Sequence, residues 1–131
     1  MLRVVAGHAD VWEINLPPIP ARVARAAETL ARACDAVGRD PAEIGRSQLV
    51  YTRRGGDAAS EVPAFRKLNP WFESISDDEL LPALVVGGAE HCRERLAELR
   101  ESLSLALPVL DLSGFPAGPA GRVLEALAPL K

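Results

Sequence analysis

Residues 34–44 read Cys-Asp-Ala-Val-Gly-Arg-Asp-Pro-Ala-Glu-Ile, and this stretch sets the organisation of the chain on either side of it. Gly38 can take the left-handed conformation that ends a helix, and Pro41, three positions on, cannot continue one. Before the stop, Val23, Ala27, Leu30, Cys34 and Val37 recur at steps of three and four, with Arg22, Arg25, Glu28, Arg32 and Asp35 on the opposite face. That spacing predicts an amphipathic helix over about 20–37, approached through Pro17, Pro18 and Pro20. After the stop, Gln48 to Arg53 carries Leu49, Val50, Tyr51 and Thr52 and reads as a strand, as do Val11 to Asn15 and Val109 to Leu112. Pro108 has no amide hydrogen to give, so the third strand either begins after it or has an exposed edge there.

Further out, Cys92, Leu96, Leu99 and Leu103 form one side of a helix from Ala89 to about Leu103, and a short helix is predicted from Pro119 to Leu127. Residues 55–84 read as a long polar excursion, irregular apart from a short helix at Asp77 to Leu84 with Ser76 as N-cap and Glu79 three residues later. Asp77 and Asp78 decorate that helix start, where negative charge is favourable. The order is strand, helix, strand, long loop, helix, strand, helix, which implies an α/β fold with a parallel sheet and right-handed crossovers. A complete eightfold barrel takes about 250 residues. The 131 residues present make one domain of three to four β/α units.

Composition bounds the function classes. Hydrophobic residues are 48% and charged residues 25%, values of a globular protein rather than a disordered one. A net charge of -3 offers no cationic field, so nucleic acid is not an expected partner. Cys34 and Cys92 form no CxxC and fall in helical segments as small buried hydrophobes, which suits a reducing cytoplasm. No run of 18 apolar residues occurs and the N-terminal apolar stretch is too short for a signal peptide, so neither membrane nor export is expected. His8 and His91 have no ligand partner at helical spacing, and no nucleophile motif surrounds Ser60, Ser74 or Ser104; no metal site and no catalytic residue is assigned.

Three ordered pieces carry a family likeness. Val5-Ala6-Gly7-His8-Ala9-Asp10-Val11-Trp12 resembles the helix and Ala-Asp-Gly-Trp corner that lead into the sixth strand of the luciferase-like monooxygenase superfamily, with Val11 at the Gly position. The stretch 34–44 resembles that superfamily's Gly-Arg-Asp-Pro-x-x-Ile link to strand seven, and residues 85–96 resemble its lead-in to helix seven, with Gly88 and Ala89 in place of Thr-Pro. The resemblance implies the C-terminal part of a (β/α)8 TIM barrel whose members use FMN or the deazaflavin coenzyme F420. It also implies that the residues holding the reacting ring belong mostly to a first half that has no counterpart in these pieces. The Thr and Lys that hold a sugar phosphate in some relatives are replaced at about those positions by Asn15 and Pro18.

Strand-end positions of such a barrel face the ligand mouth, so Asn15, Arg53, Asp111 and Ser113 are the candidate substrate-binding residues, with Arg54 beside them. Gly87 and Gly88, ahead of a helix, are the candidate cofactor-binding pair, because free amides and the helix dipole converge there. Tyr51 reads as core with its hydroxyl at an edge, His91 as a surface helix residue, and Trp12, Trp71 and Phe72 as core. The expected protein is a segment of a flavin- or F420-dependent oxidoreductase, inactive and without tightly bound cofactor by itself. The competing expectation is a non-catalytic truncated module. Either way a parallel sheet with an uncovered face predicts a homo-oligomer or docking to a separately encoded barrel half.

Overall fold

The computed structural model describes residues 1–113 and 115–128. Its elements in order are α1 (Leu2–His8), β1 (Val11–Ile14), α2 (Pro20–Asp35), β2 (Gly45–Arg54), α3 (Ala58–Leu68), α4 (Asp77–Leu80), β3 (Val85–Gly87), α5 (Ala89–Ser102), β4 (Leu107–Asp111) and α6 (Ala117–Leu127). Single 3-10 turns lie at Pro41–Glu43, Pro70–Phe72 and Leu81–Ala83. The helix stop behaves as its sequence predicts: Gly38 has φ +70, and the Asp40 carboxylate accepts the Ala42 amide as the chain turns into β2. Val37, assigned to the apolar face of α2, is instead exposed because the helix has ended before it.

β2 is the centre of the sheet. It pairs in parallel with β1 from Val11↔Gly45 to Ile14↔Gln48, with β4 from Ser47↔Leu107 to Tyr51↔Asp111, and with β3 from Thr52↔Val85 to Arg54↔Gly87. All the pairings are parallel, so the β/α reading holds. β4 begins at Leu107 and contains Pro108 opposite Gln48. Among the described residues β4 pairs only with β2, so Pro108 sits in an edge strand, the second of the two arrangements its missing amide allows.

The excursion departs from the expectation of an irregular loop. Residues 58–68 form α3, capped by Asp57, whose side chain accepts the Ser60 amide. Pro63 lies inside this helix and conceals it from a reading of the sequence, while Val62 and Phe65 supply its buried side. β3 was also not foreseen: its three residues are too few to show a period.

Alternation along the strands divides the core in two. Trp12, Ile14, Val50 and Val85 face the helices and pack with Leu30, Cys34, Cys92 and Leu99. Tyr51 and Val86 face the other way and pack with Val62, Phe65, Ile75, Leu80 and Leu84 of the excursion. The excursion covers only the C-terminal end of that second face. Toward the N-terminal end, Val11, Leu49, Leu107 and Val109 remain 52%, 45%, 58% and 36% exposed. Trp71, expected in the core, is 65% exposed at a turn of the excursion, with only Phe72 of the pair tucked against the second cluster.

β3 hands over to α5 through Gly87 at φ +149. A Cβ there would lie 2.8 Å from the His91 ring as well as straining the backbone. Gly87→Ala is therefore expected to lower stability by about 1–3 kcal/mol in a urea titration. Adding His91→Ala should recover only part of it, because the backbone strain remains.

Candidate functional site

Two clefts open at the C-terminal ends of the strands and share Tyr51 as a wall. The first, of about 320 Å3, gathers Glu13 and Asn15 from β1 and the residue after it, Tyr51 from β2, Asp111 from β4, and Phe65, Asn69 and Trp71 from the excursion. Its polar groups are carboxylates, amides and one phenol, set among Leu49, Phe72, Leu80, Leu84 and Val109. The second, of about 620 Å3, is lined by Arg53, Arg54, Gly55, Gly56, Glu61, Lys67, Ser113 and Phe115 among others. A third groove, of about 780 Å3, lies on the helix side among Leu96, Leu105, Leu110, Leu124 and Leu127, away from the strand ends.

The structure thus brings Asn15 and Asp111 together in one cleft and places Arg53 and Ser113 in the other. Gly87 and Gly88 line neither. Gly87 is in register with Arg54, its carbonyl accepts the Gly55 amide at 2.8 Å, and Gly88 is the N-cap of α5.

Arg53 is 8% exposed and works as a clip. Its guanidinium donates to the carbonyls of Thr52 at 2.8 Å, Asp111 at 2.9 Å and Ser113, and lies 3.8 Å over the Tyr51 ring. The Phe115 ring is 5.0 Å away. The Asp111 carboxylate is turned to the Ser113 amide, which donates to it at 2.9 Å. These bonds hold the end of β4 and the turn after it against β2, and so fix where the candidate residues sit.

Sequence reasoning missed Glu13, Glu61 and Lys67. Glu13 follows from strand alternation, since it shares a face with Asn15; its carboxylate accepts the Ser47 hydroxyl. Glu61 and Lys67 belong to the helix that Pro63 conceals. The Glu61 carboxylate accepts the Tyr51 hydroxyl at 3.0 Å. Burial first, and then that carboxylate, push the Tyr51 phenol up to about 12, against the opposing pull of Arg53. Tyr51 therefore stays a donor throughout the physiological range. Its folded state holds the proton more tightly than the unfolded chain, whose phenol titrates near 10. The associated stability is complete below pH 10 and lost as pH rises through about 12. Thermal melts between pH 9 and 12 are expected to fall more steeply for the native sequence than for Tyr51→Phe.

Burial likewise raises the Cys92 thiol, with Arg54 opposing. Its sulfur lies 3.5 Å from the Gly87 carbonyl, inside the core. Among the described residues no three His, Cys, Asp or Glu side chains group to hold a metal. No helix among the described residues is long and apolar enough to cross a membrane.

Two solved monooxygenases share the fold. Long-chain alkane monooxygenase LadA matches with a TM-score of 0.63 at 13% identity, over 93% of this chain and 36% of its own. Monooxygenase RslO1 from Streptomyces bottropensis matches with a TM-score of 0.58 at 14% identity, over 95% of this chain and 42% of its own. The fold is thus an α/β segment corresponding to part of a TIM barrel, and the chain spans about two-fifths of these proteins' length. No protein-family profile matches the chain, and no curated protein sequence does.

Proposed function

We propose that this chain forms the late β/α units, the C-terminal part, of a luciferase-like oxidoreductase barrel, and supplies one wall of a ligand cleft that earlier strands complete. The observation that carries this reading is the uncovered half of the second sheet face. Val11, Leu49, Leu107 and Val109 point where a closed barrel packs its interior, and a parallel sheet with apolar side chains on both faces is built to be covered on both. Asn15 and Asp111 then stand at the mouth, and Arg53 holds the turn after β4 beside it through the Asp111 and Ser113 carbonyls.

FMN or F420 is the group such a barrel uses to carry hydride or activate oxygen. The residues present fit it only in part. The 320 Å3 cleft has an apolar wall for a ring but no cation for a phosphate, and Gly87-Gly88 offers backbone amides outside it. No redox step is assigned to this chain's residues, and alone it is an inactive segment. The same open face supports a second reading, a non-catalytic module that self-associates or docks to another barrel half.

Sedimentation of the purified chain at tens of micromolar, with FMN or F420 present, tests both. The expected result is a species larger than 14.0 kDa with no co-sedimenting cofactor. Saturable cofactor binding at or below about 1 μM, equivalent to about 8 kcal/mol, would show that the chain holds a complete site. A stable monomer would overturn the self-associating module.

A further inference from the structure

We propose that the second cleft, between the end of β2 and α3, binds a phosphate group carried by a small molecule. Its charges are unbalanced. Arg53, Arg54 and Lys67 face Glu61 alone, in a chain whose overall charge is -3. Arg53 is nine-tenths buried, yet all its hydrogen bonds go to neutral carbonyls, and its one carboxylate neighbour, Glu61, is 3.9 Å away and bonded to the Tyr51 hydroxyl. A buried guanidinium without a close counter-charge is costly, and an anion entering the cleft would offset that cost.

Arg54 and Lys67 are exposed and form no ion pair among the described residues, so both are available to a ligand. Between them run Gly55 and Gly56, at φ +91 and +75, whose lack of side chains lets a ligand approach the backbone. Asp57, next in sequence, is turned away to cap α3. Three cations against one carboxylate leave a surplus that a dianion matches and a carboxylate does not. Guanidinium forks and ammonium groups are the usual partners of phosphate oxygens.

The test is an amide NMR titration of the whole chain with inorganic phosphate at fixed ionic strength, with acetate in parallel. Saturable shifts are expected at Gly55, Gly56 and Lys67. Binding should weaken about tenfold or more in the Arg54→Gln, Lys67→Gln double variant, whose exposed positions leave the fold intact. The Arg3→Gln, Arg25→Gln variant, which removes exposed cations elsewhere, should bind as the native chain does. Shifts that do not saturate, or that respond equally to both double variants, would overturn the site. Acetate binding as tightly as phosphate would overturn the dianion assignment. No flavin or deazaflavin enters the titration, so its outcome is separate from that of the barrel reading.

Discussion

Phe65→Ala should remove about 3–5 kcal/mol from the excursion while leaving the helix-side core in place. The Phe65 ring meets Tyr51 edge-on at 5.4 Å and stacks on Phe72 at 6.1 Å, so it joins β2 to both halves of the segment. Val62, Ile75, Leu80 and Leu84 pack around it on one sheet face, whereas Leu30, Cys34 and Leu99 pack on the other. The two clusters share β2 and β3 and little else. In hydrogen exchange, amides of α3 and α4 should lose protection first, and those of Ile14, Val50 and Leu99 should keep it. Uniform loss over the whole chain would show that the faces unfold as one unit.

Arg53→Met is expected to cost about 2–3 kcal/mol. Methionine keeps most of the aliphatic stem but loses the guanidinium that lies over the Tyr51 ring, so the loss is mainly polar: carbonyls of Thr52, Asp111 and Ser113 lose a charged donor. Hydrogen bonds to charged groups are each worth about 1.5–3 kcal/mol, and relief from burying the guanidinium returns part of the sum. The structural signature should be a β4 that separates from β2 near Asp111, read as lost protection at Leu112 and Ser113. A denaturation midpoint within about 0.5 kcal/mol of the native chain would show that Arg53 is not a clip.

Local signals carried much of the architecture. Gly38 and Pro41 mark a helix end, and the strands on either side of α2 follow from composition over a few residues. The elements that escaped depend on distant partners or carry a misleading residue. Val85 to Gly87 becomes a strand because Thr52 to Arg54 lies beside it, and Pro63 masks a helix whose Val62 and Phe65 find β2 in three dimensions. Trp71 shows the limit of reading aromatic residues as core when the surrounding segment lies on the surface. The rule that strand ends form the mouth picked out Asn15 and Asp111, which line one cleft. It did not distinguish the role of Arg53, whose acceptors at Asp111 and Ser113 are 58 and 60 positions away.

That separation also sets a clock during synthesis. β2 can complete its pairing with β4 only after about 60 further residues have been added, roughly 3–12 s at 5–20 residues per second. Through that interval Leu49, Val50 and Tyr51 present an open ladder to the surrounding solution. α3 and β3, which emerge in the meantime, are the first parts of the chain able to shield its C-terminal half.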